Sequence, residues 1–166
     1  FAAELTPPYA INVPTCATLW LPEIRSGTDR SRQISFQWLR SSGPTSVQCR
    51  GQEITVAPAR QAPTVRKVHI LAASVKAIAT VGVTLRFTDN SEQFITFPVS
   101  VWTQPPANGE VVAHAMPYSR TGVPDAAGPP VSVFWYTINV RENQKLTTIA
   151  FTNAPDVRIL AITTER

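Results

Sequence analysis

Apolar and polar residues alternate with a period of two along much of this chain, which is the mark of half-buried β-strands. Residues 33–40 show it most cleanly: Ile34, Phe36 and Trp38 fall on one side, and Gln33, Ser35 and Gln37 on the other. Ser41-Ser42-Gly43-Pro44 then enforces a turn. Short strands are predicted at 47–50 and 52–57 around Gly51, and an apolar, central strand at 65–74. Residues 81–88 alternate again, with Val81, Val83, Leu85 and Phe87 inward, and 93–99 return antiparallel. Between them Asp89-Asn90-Ser91 predicts a hairpin turn, because Asp and Asn tolerate the left-handed conformation. Further strands are predicted at 110–116, 131–140, 146–151 and 157–163, with a long loop at 119–130 and a turn at Asn153-Ala154-Pro155-Asp156. No segment carries a 3.6-residue period. Nine or ten short strands punctuated by turns predict an all-β fold, an antiparallel β-sandwich, as one domain over 1–166.

Composition agrees. The 166 residues are 43% hydrophobic and only 16% charged, against about 25% charged in ordinary domains. That apolar content excludes a disordered chain. No apolar run approaches the roughly 18 residues of a membrane span. The net charge of +4 comes mostly from scattered arginines rather than a basic stripe with interleaved aromatics, so no nucleic-acid partner is expected.

The two cysteines, Cys16 and Cys49, are too few for a structural zinc site. Low Lys, a Pro-rich surface and an all-β pattern suggest an exported protein, in which a Cys16–Cys49 disulfide would persist and contribute about 3–4 kcal/mol. Two buried free thiols are the alternative. The chain starts at Phe1, as a mature or excised fragment would, and no Asn-X-Ser/Thr sequon is present.

Candidate chemistry is sparse. The carboxylates are spread out. Glu23 with Asp29, or Glu92 with Glu110, are conceivable glycosidase pairs, but nothing in the sequence brings them together. His69 and His114 lie inside apolar strands and read as satisfied sheet residues. Nucleophile-elbow, zinc-protease, P-loop and dinucleotide motifs are absent. Four tryptophans are many for this length. Trp38 and Trp135 read as core. Trp20 and Trp102 sit at strand ends, where a solvent-facing ring is the usual platform for the C–H face of a sugar. The alternative is that both staple loops to the sandwich edge.

The order of segments resembles a known family. It runs Gly51-Gln52-Glu53-Ile54-Thr55-Val56, then Val68-His69-Ile70-Leu71-Ala72-Ala73, then the strand and hairpin from Val81 to Ser91. A strand to Trp102 follows, then Lys145-Leu146-Thr147-Thr148-Ile149, and finally Ile159-Leu160-Ala161-Ile162. This series, over residues 19–164, resembles the galactose-binding-like (jelly-roll) domains appended to secreted glycoside hydrolases. Fungal α-L-fucosidases and bacterial α-mannosidase-like enzymes carry such tails. The resemblance implies an antiparallel sandwich with no catalytic residues of its own; calcium sites of the family use loop carboxylates and carbonyls, but no local acidic cluster places one in this sequence, so no metal and no cofactor are expected. Some members bind carbohydrate through loops at one end, and others only brace a catalytic domain. The chain departs from the pattern in having Asp89-Asn90 at the hairpin and Val101 before Trp102.

These readings give a secreted, non-catalytic module with a carbohydrate ligand and a catalytic domain of the same parent protein as partners. Trp20 and Trp102 would stack on the sugar, and Tyr118 and Arg120 would donate hydrogen bonds. The alternatives are a structural domain that binds no sugar, and a small glycoside hydrolase using carboxylates such as Glu23 or Asp125.

Overall fold

The computed structural model describes residues 46–116, 131–142 and 144–166, with the backbone of two earlier strands. The strands are β1 (Ala17–Trp20), β2 (Gln33–Phe36), β3 (Val47–Arg50), β4 (Glu53–Thr55), β5 (Lys67–Ser74) and β6 (Ala79–Phe87). They continue with β7 (Glu92–Val99), β8 (Val111–Met116), β9 (Val131–Asn139), β10 (Leu146–Phe151) and β11 (Asn153–Glu165). A single 3-10 turn, Ala59–Gln61, is the only helical piece among the described residues.

Every strand pairs antiparallel. One sheet runs β4-β10-β6-β7, a second runs β3-β11-β5-β9-β8, and β1 and β2 pair by themselves. The two larger sheets pack as a β-sandwich. Val81, Val83, Leu85 and Phe87 of β6, with Leu146, Ile149 and Phe151 of β10, meet Val68, Ile70 and Phe134 of the other sheet in one apolar cluster. Each large aliphatic side chain so buried stabilises the fold by about 1.5–3 kcal/mol.

The β6–β7 hairpin forms as its residues dictate. Asn90 takes φ 62°, and the Asp89 carboxylate accepts from Ser91 N at 3.0 Å and Ser91 Oγ at 2.6 Å. These bonds hold the Asp89 carboxyl below its ordinary value. Arg86 and Glu92 are thereby brought opposite each other.

Two readings need correction. The predicted turn at 153–156 is part of β11, whose pairing register with β3 shifts between Ala154 and Arg158. The chain crosses between sheets at Thr152 instead. Its N–H donates to Gly82 O at 2.9 Å, and its hydroxyl accepts from Gly82 N at 2.8 Å. β9 is the second case. The sequence placed Val131, Val133 and Trp135 inward, yet Phe134, Tyr136 and Ile138 on the opposite face are buried as well. Both faces of this strand are covered, so simple alternation fails there.

Candidate functional site

Ser100, just past β7, is completely buried, and the chain then loops to Glu110 before entering β8. Glu110 organises that loop. Its Oε1 accepts from Ser100 N at 3.1 Å, Ser100 Oγ at 2.7 Å, Asn108 Nδ2 at 3.1 Å and the Tyr136 hydroxyl at 3.2 Å. Its Oε2 accepts from Asn108 N at 2.8 Å. Ser100 Oγ in turn accepts from Ala107 N at 2.9 Å. Gly109, at φ 78°, makes the reversal that returns the chain to Glu110.

Partial burial by itself would raise the Glu110 carboxyl. The donors from Ser100, its own backbone and Asn108 outweigh it and hold the group at about 2. Tyr136 is pushed the other way, by burial first and by the Glu110 charge second, so its hydroxyl stays protonated and donates. The result is a fixed, ionised carboxylate. Oε1 is saturated by the fold, whereas Oε2 carries one bond from the described residues and has an acceptor direction to spare.

Beside it Phe97 of β7 stacks on Tyr136 of β9, with ring centroids 4.5 Å apart and planes 20° apart. An open cleft of about 280 Å³ lies against Phe97, Pro98, Asn108, Glu110, Val111 and Thr137. An aromatic residue and an anionic acceptor thus share the lining of one open cleft. A larger cleft of about 560 Å³ lies between Thr64, Arg66, Asn139, Val140 and Glu142, and no aromatic side chain among the described residues lines it.

The second polar centre is enclosed. His69 on β5 is 1% exposed. Its Nδ1 lies 3.1 Å from Thr137 Oγ1, and its Nε2 lies 3.4 Å from Glu165 Oε2. Burial lowers its pKa, and the Glu165 carboxylate only partly offsets that. The sequence reading of a satisfied sheet histidine fits this placement. His114 has no described side chain.

The residues proposed from sequence fare differently. Trp102 is 5% exposed and belongs to the core cluster. Its N–H donates to Ser74 O at 2.9 Å and its carbonyl accepts from Ser132 N. A ring buried to this degree offers no open face for a sugar, so Trp102 staples the loop instead. Trp20 closes β1, but its side chain, like Tyr118, Arg120, Glu23, Asp29 and Asp125, lies outside the described residues. Glu92 and Glu110 are engaged separately: Glu92 Oε1 accepts from Arg86 Nε at 2.7 Å, and Arg86 also bonds Glu53.

The structure does not show the expected Cys16–Cys49 disulfide. Cys49 is a free thiol at 0% exposure, packed in the core on β3 opposite Ala154. Burial pushes it up to about 12, against a small lowering from Arg158. Cys16 lies outside the described residues. Among the described residues no cluster of three or more His, Cys, Asp or Glu stands ready to hold a metal.

Sequence reading passed over Phe97, Asn108 and Thr137 as site residues. The available signal was Asn108-Gly109-Glu110, a tight turn that delivers an acid to the start of a strand. No protein-family model matches the chain, and no curated protein matches it.

Proposed function

We propose that the chain is a non-catalytic carbohydrate-binding module of a secreted glycoside hydrolase, of the galactose-binding-like, jelly-roll kind. Its site is the Glu110 cleft rather than the Trp102 end of the strand. The observation that supports this best is the fixed Glu110 carboxylate set beside the Phe97 ring in a cleft of about 280 Å³. Sugars are recognised by that combination. An ionised oxygen takes a strong, charge-assisted hydrogen bond from a ring hydroxyl, and an aromatic surface takes the C–H face. The volume falls just below the usual range of about 300–1,000 Å³ for drug-sized ligands and suits a single sugar residue.

The carboxylate works here as an acceptor. Held at about 2, it is ionised at neutral pH and poorly placed to donate a proton as a general acid. The test is a glycan array of the intact chain beside its Asn108→Ala variant. Binding to a group of glycans sharing one terminal sugar, weakened in the variant, is the expected result. An array without a hit favours the alternative of a structural domain that braces a catalytic partner.

A further inference from the structure

The outer face of the four-stranded sheet carries a feature that the cleft does not use. Phe94 points outward from β7 and is 61% exposed, the most exposed of the large hydrophobic residues described. Its position is set by Gly82 of β6. A Cβ placed on Gly82 would lie 2.8 Å from Phe94 Cε2 and 2.9 Å from Phe94 Cζ. The tip of the ring therefore occupies the space a side chain would take. Thr152 fixes Gly82 from the other side through its two hydrogen bonds. The ring is thus seated on the sheet while more than half of the residue stays in water.

The surroundings say what it suits. Thr84 lies directly opposite Phe94 and Thr96 directly opposite Gly82, so hydroxyls flank the ring. Arg86 on the same face is engaged by both Glu53 and Glu92. That three-residue group carries a net negative charge and disfavours an anionic ligand. A protein partner needs about 800 Å² per side with an apolar centre. One ring among threonines offers far less. A pyranose, with one apolar face and a rim of hydroxyls, matches a single ring bordered by hydroxyl groups.

We infer that Phe94, seated on Gly82 and flanked by Thr84 and Thr96, is a second platform that stacks a pyranose unit of a neutral oligosaccharide. It is separate from the Glu110 cleft, lying on the opposite side of β7 from Phe97, and it rests on the carbohydrate-binding reading. Immobilising the ring beforehand lowers the ordering cost of binding. Two sites on one edge strand would also let a chain of several sugars bind more tightly than one sugar can.

The experiment is amide-resolved NMR titration of the intact chain with cellohexaose, mannohexaose and xylohexaose in turn. Shifts at Gly82, Thr84 and Thr96 with at least one of these, and affinity reduced about tenfold by Phe94→Ala, are expected. Shifts confined to Asn108, Gly109 and Val111 overturn the platform and leave the cleft standing. No shifts with any of the three, nor with the monosaccharides glucose, mannose, xylose and galactose, overturn both. Should Phe94→Ala fail to fold, Phe94→Leu keeps the apolar bulk without the ring. A folded Phe94→Leu chain that binds as the wild type does overturns the proposal, and Phe94→Trp is expected to retain binding.

Discussion

The indole Nε1 of Trp135 donates a hydrogen bond to Nδ1 of His69 across 3.2 Å, and the two rings meet edge to face with centroids 5.5 Å apart. An indole nitrogen can only donate, so Nδ1 must accept. The His69 proton therefore sits on Nε2, facing Glu165. A second proton would set two N–H groups against each other inside the sheet. The burial-lowered pKa has the same sense. The unfolded chain takes up that proton near the ordinary 6.5 and the folded chain only at lower pH. Stability that depends on neutral His69 is complete above pH 6.5 and is lost as pH falls through the folded value. The melting temperature should decline from about pH 7 to pH 5, and His69→Asn should flatten that decline while costing about 2 kcal/mol at neutral pH. An unchanged slope in the variant would place the acid sensitivity elsewhere.

Glu110 titrates in a separate window. Its folded value of about 2 lies below the ordinary 4.5, so its stabilisation is complete above pH 4.5 and disappears as pH falls toward 2. Glu110→Gln keeps the shape but turns one acceptor into a donor facing other donors. It is expected to destabilise by about 1–3 kcal/mol at pH 7 and to remove the acid limb of urea denaturation between those values. A variant as stable as the wild type at pH 7 would mean that the 100–110 loop is held by something else.

Gly82→Ala puts a methyl group 2.6 Å from Thr152 Cγ2 as well as against Phe94. The cost expected from calorimetry is about 1–3 kcal/mol. Adding Phe94→Ala should recover part of it, since one of the two clashes is removed while Thr152 remains. Strict additivity in the double mutant would show that the ring does not press on Gly82.

Cys49 should be inert in the native state. Its thiol is fully buried and pushed up to about 12, so the reactive thiolate is absent at ordinary pH. In a Cys16→Ser chain, a disulfide reagent at pH 8 is expected to label Cys49 only after guanidinium is added. Rapid labelling without denaturant would contradict the packing described.

The strand pattern was legible wherever one face is wet. β6 shows Val81, Val83, Leu85 and Phe87 buried, as alternation predicts, and the Asp89-Asn90-Ser91 turn forms through local bonds that sequence encodes directly. Legibility failed where burial is set by distant segments. Trp135 and Tyr136 are both covered although they face opposite ways, and Pro155, a reasonable turn former, is absorbed in β11 at the irregular β3 pairing. The site was harder to read for the same reason. Trp102 looked like a platform because it ends a strand, yet only the Ser74–Trp102–Ser132 backbone bonds reveal that the chain folds back over it. Glu110 depends on Ser100 and Tyr136, which are 10 and 26 positions away, and no local motif announces that meeting.

On the reading proposed above, the Glu110 cleft holds a sugar. The deciding measurement is isothermal titration of the wild type and Asn108→Ala with the terminal monosaccharide shared by the array hits. Saturable binding at one cleft site is expected, with affinity lowered about tenfold or more in the variant, which should stay folded with a melting temperature lowered only by the loss of the Asn108 Nδ2 bonds to Ser100 and Glu110. Equal affinity in the two chains, with both folded, would contradict it.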